Sequence, residues 1–483
     1  MPKKLKTMLS LYNTLSKQKE TFKSLNPGKV GMYSCGPTVY GDIHIGNLRA
    51  YVLSDTVRRY LEQIGFEVRL IKNITDVGHL TEDDVAQGDS GEDKIEKKAL
   101  AEKKTPEEIA RFYEERFKEV EKEMNIIPAH FFPRATAHVP QMIKIVEGLI
   151  EKGFAYEKNG NVFFDVTKFE EYGKLSGNTL ENLKVGARLE EHPDKKNPWD
   201  FALWLKAPED HLMKWQSPWS VGYPGWHIEC SAMSTEYLGN TIDIHTGGED
   251  NIFPHHEAEI AQTECYTGKQ FVRFWLHTRH LLVDGKKMSK SKGNLFTLED
   301  IKGKGFSAMD MRLLLLSSHY RSQMDFSFES LEQARKNFQR INDFVLNLED
   351  VASRNTASAE VFNTSTYQEK FESAMDDDLN TPLALAVTYE LVTEVNKKIA
   401  DNSLSSDDAK KILTLWKRIN SVFGFVLSQQ AEIPAEIKKL VSEREQARLE
   451  KDFKKSDKLR TLIEEKGYIL EDTKDGQKIK LAN

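Results

Sequence analysis

Between Leu48 and Leu61 the apolar residues Leu48, Tyr51, Val52, Val57, Tyr60 and Leu61 recur at helical spacing, as two i, i+3, i+4 sets. That spacing predicts a helix packed on a core. Just before it, the apolar run Val30-Gly-Met-Tyr-Ser-Cys35 predicts a buried strand, ending in the turn residues Gly36-Pro37-Thr38. Gly65 stops the helix, and Phe66 to Ile74 reads as a second strand. Strand, helix, strand predicts a βαβ unit with parallel strands.

Further along, Gly88 to Glu123 is mostly charged, and Thr105-Pro-Glu-Glu108 inside it carries a helix start: Thr as cap, Pro at the first helical position, Glu reaching back. A helix is predicted from Val139 to Glu151, and a hairpin turning at Asn159-Gly160 into a strand over Asn161 to Val166. From Trp199 to Trp226 the chain is aromatic and rich in Gly and Pro, which predicts loops around a pocket. Thr241 to Ile244 reads as another core strand. Beyond Ser307 the pattern changes to long amphipathic helices, including Leu313 to Leu316 and Leu383 to Val395, with a polar loop at Ser353 to Tyr367.

This pattern predicts an α/β fold: a split Rossmann-like nucleotide-binding domain over 20–80 and 205–265, interrupted by an insertion at 81–204. A lysine-rich loop region at 266–309, an α-helical bundle at 310–430 and a small C-terminal module at 436–483 follow. The last 48 residues hold 13 Lys/Arg against 11 Asp/Glu in a chain whose net charge is −7, so the tail is a separate, more basic module. Any nucleic-acid surface must therefore be a local basic patch. With 39% hydrophobic and 30% charged residues, whole-chain disorder is excluded. No apolar run reaches the ~18 residues of a membrane span. The basic N-terminus lacks a following apolar segment, and the three cysteines (Cys35, Cys230 and Cys265) are widely separated, so no signal peptide or disulfide framework is expected and the cytoplasm is the expected compartment.

There is no P-loop motif. His44-Ile-Gly-Asn47 instead sits where the first strand's loop enters the helix, and free N–H groups at a helix start suit phosphate. His44 there can donate to a phosphoryl oxygen, and Gly46 leaves room for a flat adenine or ribose. Four lysines lie between Lys286 and Lys292, in the string Lys287-Met-Ser-Lys290-Ser291, on what reads as an exposed loop. Lysines on such a loop can stabilise charge building on a triphosphate. Each motif alone also fits a capped turn or a solvated basic loop. Their order around a split βαβ unit favours ATP chemistry.

Cys35, Cys230, His255 and Glu259 are candidate metal ligands. Pro254 marks a helix start, and His255 and Glu259, four apart, share one helix face. Two thiolates, one imidazole and one carboxylate form a tetrahedral zinc set. Unliganded buried cysteines fit the composition as well, and His256 and Glu257 compete for the same role. Without an H-E-x-x-H string a zincin-type hydrolase has no support. Cys265 reads as a core residue, and the tryptophans Trp199, Trp204, Trp215 and Trp219 as packing.

The His44-Ile-Gly and Lys287-Met-Ser-Lys290-Ser291 pair resembles the class I aminoacyl-tRNA synthetases. Longer strings narrow the resemblance to the cysteinyl-tRNA synthetase family: Met32-Tyr-Ser-Cys-Gly-Pro-Thr-Val-Tyr40, Asn73-Ile-Thr-Asp76, Gly225-Trp-His-Ile-Glu-Cys-Ser-Ala-Met233, Asp243-Ile-His-Thr-Gly-Gly-Glu-Asp250, Phe253-Pro-His-His-Glu-Ala-Glu-Ile260 and Met375-Asp-Asp-Asp-Leu-Asn-Thr-Pro382. The resemblance spans essentially the whole chain. It implies zinc on Cys35, Cys230, His255 and Glu259, and a substrate pocket at Thr75, Trp226 and His245 with Asp250 near the amino group. It implies ATP at Gly36, Thr38, His44, Gly46, Asn47, Gly248 and Lys290, and catalysis by His44, Lys287 and Lys290; Mg²⁺ is expected with ATP from the chemistry. L-cysteine and tRNA-Cys are the implied partners, the tRNA meeting the basic tail between Arg444 and Arg460, and the chain is expected to be a monomer. Two departures stand out. Asn47 replaces the family's second histidine, and Val77-Gly-His79-Leu80 replaces further acids. The rival readings are a related ligase that passes cysteine to a small amino-sugar acceptor, which residues 310–483 disfavour, and a non-catalytic RNA-binding paralogue.

Overall fold

Four parallel strands form the central sheet of the computed structural model, which describes residues 8–77, 80–82, 90–182, 192–288, 293–354, 356–357, 361–427, 435–473 and 476–481. His79 and Lys290 lie outside these residues. A short antiparallel hairpin comes first, β1 (Ser10–Asn13) with β2 (Gln18–Thr21). Then β3 (Lys29–Ser34) leads through α1 (Ile45–Gln63) to β4 (Glu67–Lys72), in parallel register from Lys29↔Glu67 to Ser34↔Lys72. The βαβ unit expected from the apolar pattern is formed, and the second strand stops at Lys72.

The insertion begins with the antiparallel pair β5 (Leu80–Glu82) and β6 (Ser90–Asp93). Two helices follow, α2 (Lys94–Glu102) and α3 (Pro106–Glu123). Thr105 caps α3 in a reciprocal box with Glu108, and Pro106 occupies its first turn, as the motif predicts. After α4 (Val139–Glu151), the strands β7 (Ala155–Lys158), β8 (Asn161–Phe164), β9 (Phe201–Lys206), β10 (Trp215–Gln216) and β11 (Val221–Pro224) make an antiparallel sheet in the order β10-β11-β9-β8-β7. The aromatic 199–226 segment thus contributes three strands separated by loops, and the inserted sheet continues past residue 205 to Pro224. Phe201 and Trp204 are buried and Trp215 half-buried, because β9 is covered on both faces, Phe201, Leu203 and Trp204 packing in one core cluster and Ala202 and Leu205 in another.

After the helix Trp226–Leu238 the central sheet resumes with β12 (Ile242–Gly248), the helix Glu257–Thr267 and β13 (Val272–Thr278). β12 pairs in parallel with β3 on one side and β13 on the other, giving the order β13-β12-β3-β4. The two βαβ halves therefore run outward in opposite directions from the β3/β12 seam. Beyond the carboxyl ends of these two strands a crevice opens, which is where such sheets place their ligands.

The core under the sheet draws Tyr33 and Ile71 from its strands, Met142, Val146 and Leu149 from α4, and Ile228, Met233 and Ile260 from the later helices. Next come β14 (Leu281–Val283), β15 (Lys286–Lys287) and β16 (Met324–Phe326), a small sheet in which β14 is the middle strand. The helices Ala308–Leu316, Phe328–Ser353, Thr364–Asp376, Thr381–Ala400 and Ser406–Phe423 complete the first compact unit, which ends at Phe425. The polar stretch expected up to Tyr367 gives way to helix at Thr364, capped by Asn363. The second unit, Val426–Asn483, packs the helices Ala435–Leu449 and Phe453–Glu465 with an antiparallel hairpin, β17 (Tyr468–Thr473) and β18 (Gly476–Leu481), around Ile437, Val441, Ile463 and Leu470.

Helix α1 is covered on its outer side as well, and polar residues are buried there. Arg312, fully buried, donates to the carbonyls of Phe423 (2.5 Å) and Met124 (2.7 Å) and pairs with Asp55 of α1. Asp55 also accepts from Arg59 at 2.7 Å and from the Ile127 N–H at 2.9 Å. One ion pair thus ties α1, the end of the inserted helix α3 and the last helix of the unit. Burial pushes the Asp55 carboxyl up, but Arg312, Arg59 and the Ile127 N–H outweigh it and hold it below the usual carboxylate range.

Arg312→Met removes one partner of a buried pair and should lower unfolding stability by about 3–5 kcal/mol in urea titrations at pH 7. A depressed folded-state pKa stabilises above the ordinary carboxylate value and is lost as pH falls through the folded one. The difference between wild type and variant should therefore be constant above about pH 5 and narrow in acid below about pH 4.

Candidate active site

A cavity of about 460 Å³ opens at the β3/β12 seam. The first strand's loop lines it with Cys35, Gly36, Thr38, His44, Gly46 and Asn47, the second half with Trp226, Gly248 and Asp250, and the hairpin β14–β15 with Lys287. Parallel pairing explains this convergence: Ser34 and Thr246 sit opposite one another, so both chains leave the sheet at the same level.

His44 caps α1. Its Nδ1 accepts from the N–H groups of Gly46 (3.1 Å) and Asn47 (3.3 Å), while Asn47 Oδ1 accepts from the His44 N–H at 3.1 Å. An accepting Nδ1 leaves the proton of the neutral ring on Nε2, which suits a donor to phosphate. Asn47 thus completes a reciprocal cap that fixes the imidazole. Gly46 has no room for a side chain, since a Cβ would lie 2.6 Å from Met288 Cε and 2.9 Å from the His44 ring. Gly36 is more confined still: a Cβ would fall 1.6 Å from the Asn73 carbonyl, while its N–H donates to Asn73 Oδ1 at 2.9 Å. That contact seats the Cys35–Thr38 loop on the Asn73-Ile-Thr-Asp76 segment, where Thr38 bridges Thr75.

The four proposed ligands meet at Cys35, the one of them that lines the cavity. Cys35 Sγ lies 4.0 Å from Cys230 Sγ and 3.9 Å from Glu259 Oε1; Cys230 Sγ lies 3.5 Å from His255 Nε2, which is 3.1 Å from Glu259 Oε1. The donor atoms all fall within 4.8 Å of one another, and three of the four residues are buried. Glu257 is turned away, accepting from the N–H groups of Leu175 (3.2 Å) and Ser176 (2.8 Å). His256 stays close: its Nε2 is 3.2 Å from Cys35 Sγ, so Cys35, His245, His256 and Glu259 form a second, overlapping set.

The electrostatics suit a cation. Burial pushes the Cys230 thiol well above its ordinary value. Burial also pushes His255 down, but Cys230 and Glu259 outweigh it and raise the imidazole to about 10. Glu259, against its own burial, is held at about 2 by His245 and His255. A dication supplies the charge that two thiolates and a carboxylate need. Two sulfurs, one nitrogen and one oxygen fit zinc in donor type and in closeness. The other nitrogen of His255, Nδ1, lies 2.9 Å from His227 Nδ1, a second contact that orients the ligand ring.

Not every expected pocket residue reaches the cavity. Trp226 does, its ring stacked on His255 at 4.3 Å. Thr75 and His245 lie behind the wall, Thr75 donating to Glu229 at 2.9 Å and His245 Nε2 3.0 Å from Glu259 Oε2. Asp250 stands at the exposed rim, paired with Lys287 (2.6 Å) and His280 (3.2 Å). The sequence reading missed Glu249, Thr278, Arg279 and His280, which line the cavity, and His227 and His277, which surround the cluster. Five of the chain's 13 histidines (His227, His245, His255, His256 and His277) gather here, and that density was the available signal.

Residues 21–336 match the family model "tRNA synthetases class I (C) catalytic domain", and 370–428 match the DALR domain. Solved structures share the fold at low identity. A Mycobacterium tuberculosis methionyl-tRNA synthetase in complex with methionyl-adenylate aligns with TM-score 0.57 at 14% identity, over 82% of this chain and 89% of that one. A LeuRS–tRNA–LeuAMS ternary complex from Agrobacterium radiobacter aligns with TM-score 0.58 at 12%, over 83% and 85%. The chain is a class I tRNA synthetase by fold and by family. It is 44% identical to the cysteine--tRNA ligase of Chlorobaculum tepidum, over 97% of this chain and 98% of that protein, and 42% identical to that of Thermus thermophilus, over 98% and 99%. It belongs to the cysteine--tRNA ligase family.

Gly46→Ala should push Met288 and His44 apart and weaken ATP binding about tenfold, ~1.4 kcal/mol, in titration calorimetry, with bound zinc unchanged.

Proposed function

We propose that this chain activates L-cysteine with ATP and transfers it to the 3′ end of tRNA-Cys, and that zinc held by Cys35, Cys230, His255 and Glu259 selects the substrate thiolate. The observation that supports this most directly is the convergence of two sulfurs, one imidazole and one carboxylate at Cys35, on the wall of the cavity that the His44 cap also lines. Cysteine and serine have nearly the same shape, so a purely steric pocket separates them poorly. A zinc ion there supplies a borderline-soft Lewis acid that prefers a thiolate to a hydroxyl.

The chain's own residues do the rest. The His44 ring, with the positive end of α1 behind it, faces the phosphates, with Gly36, Thr38, Gly46, Asn47 and Gly248 shaping the nucleotide's seat. The substrate carboxylate oxygen attacks the α-phosphorus, the bond to the β-phosphate oxygen breaks, and magnesium pyrophosphate leaves. Lys287 and Lys290 act on the negative charge of that transition state. A ribose hydroxyl of the tRNA's terminal nucleotide then attacks the carbonyl carbon, and AMP departs carrying the former carboxylate oxygen. Trp226 covers the His255 side of the amino-acid site. Thr75, bonded to Glu229, and His245, bonded to Glu259, support it from behind the wall, and Asp250 offers a carboxylate at the rim for the amino group.

Cysteine-dependent ATP–pyrophosphate exchange should exceed serine-dependent exchange by more than the ~10–200-fold that apolar shape selection allows; comparable rates would contradict zinc selection. Cys230→Ser should lower bound zinc from about one per chain to a small fraction of that, read by plasma mass spectrometry, because a hydroxyl replaces a thiolate ligand. Retained stoichiometric zinc would argue against the ligand set.

A further inference from the structure

Of the strings singled out in the sequence, Met375-Asp-Asp-Asp-Leu-Asn-Thr-Pro382 plays no part in the cavity. It forms the junction between the helices Thr364–Asp376 and Thr381–Ala400. Asp376 accepts from the Tyr60 hydroxyl at 2.6 Å, and Asp377 pairs with Lys19 at 2.5 Å. Asp378 is completely buried. Its φ is +64° and that of Leu379 is +53°, left-handed conformations that residues with side chains adopt at a cost. Such a backbone persists where its surroundings demand it, and here the carboxylate has many partners.

Asp378 Oδ1 accepts from the Tyr12 N–H (2.8 Å) and the Tyr320 hydroxyl (2.5 Å), and Oδ2 accepts from Arg321 Nε (2.6 Å). The Asp378 N–H donates to the Ser10 carbonyl at 2.9 Å. One side chain therefore fixes the 319–322 turn against the first hairpin of the chain. The turn in turn holds the nucleotide wall. The Arg279 N–H donates to the Tyr320 carbonyl at 2.9 Å. Arg49 of α1, buried, donates to the carbonyls of Arg279 (2.9 Å), His280 (3.1 Å), His319 (3.0 Å) and Ser322 (2.5 Å), joining wall and turn through one guanidinium. Arg279 then pairs with Glu249 at 2.9 Å, and His280 with Asp250 at 3.2 Å. β14 follows directly, in parallel register with β16 from Leu281↔Met324, and its hairpin partner β15 carries Lys287.

We propose that Asp378 is a positioning residue for ATP: by locking the 319–322 turn it sets the Arg279–His280 wall and the strand bearing Lys287 at the height the phosphates require. Asp378 acts through these groups and touches no substrate. The inference rests on the adenylation reading of the cavity and adds to it a determinant inside the segment that matches the DALR domain. The zinc ligands hang on other elements, β3 and the helices Trp226–Leu238 and Glu257–Thr267, and of the amino-acid contacts only the rim residue Asp250 touches this wall, through His280 and Lys287. ATP affinity should therefore suffer most, the cysteine KM less, and zinc binding not at all. A residue that merely holds the fold together would move all three.

The test uses the full zinc-loaded chain as wild type, Asp378→Asn and Arg321→Met. Asparagine keeps the shape and can still accept from Tyr12 and Tyr320, but loses the charge that Arg321 needs. Arg321 is one-third exposed, so its variant remains informative if the first fails to fold. ATP affinity is read by titration calorimetry, zinc by mass spectrometry, and the KM for cysteine by pyrophosphate exchange. Both variants should bind ATP about tenfold more weakly, with the cysteine KM raised by less than that and zinc within about twofold of wild type. The proposal is overturned if ATP affinity is unchanged in the folded variants, or if ATP, cysteine and zinc affinities fall together. Wild-type protein that binds ATP but exchanges no pyrophosphate with cysteine would defeat the proposed reaction instead, and the ATP titrations would still decide the role of Asp378.

Discussion

Everything that converges in this molecule does so because β3 and β12 pair in parallel and end level with one another. Ser34 opposite Thr246 sends Cys35 and the Gly36–Thr38 loop out on one side and Gly247–Gly248 on the other. Their crossovers, α1 and the helix Glu257–Thr267, bring the His44 cap and the Glu259 carboxylate to the same end of the sheet. A one-residue slip of this pairing would turn Cys35 to the opposite face, away from Cys230 and Glu259, and would separate the soft-donor cluster from the His44 cap.

The two ends of the cavity obey different physics. At the inner end, buried thiols, imidazoles and a carboxylate lie so close that burial and mutual charge displace their proton affinities in opposing directions. Such a cluster is costly unless a cation or protons balance it. At the outer end Lys287 and Asp250 are exposed, and their contact is worth little in stability but is readily exchanged for a charged ligand. On the proposed reading, selection of the amino acid and handling of phosphate would occupy different ends of the cavity, and a metal-based choice made at binding would let a catalytic domain discriminate by chemistry where shape offers so little.

Much of this was legible in the residues. The Val30–Cys35 run, the helical spacing from Leu48 to Leu61 and the Thr105–Glu108 cap each carry their own local cause, and each formed as its pattern required. The segment from Trp199 to Trp226 was not legible, because its Gly and Pro residues suggest loops while its strand partner, Asn161–Phe164, lies some forty residues earlier. Pairing at that separation leaves no local trace. The site divides in the same way. Motif strings named Cys35, Cys230, His255 and Glu259, and the structure brings their donor atoms together. Which side of a wall a residue faces was not readable: Thr75 and His245 sit behind the cavity, held by Glu229 and Glu259. Arg49, Arg279 and His280 belong to no recognisable string, since their roles come from backbone carbonyls and a rim that exist only in the folded chain.

The central claim is that the four donors bind one zinc ion that recognises the substrate by its sulfur, and zinc-edge X-ray absorption of the metal-loaded chain tests it most directly. Without substrate the account predicts a shell dominated by two protein sulfurs, with the remaining donors nitrogen and oxygen, as the quartet of Cys35, Cys230, His255 and Glu259 requires. Added cysteine should contribute a further sulfur at about 2.3 Å, and serine should leave the shell unchanged. A spectrum that does not change with cysteine, or that changes equally with serine, would contradict it.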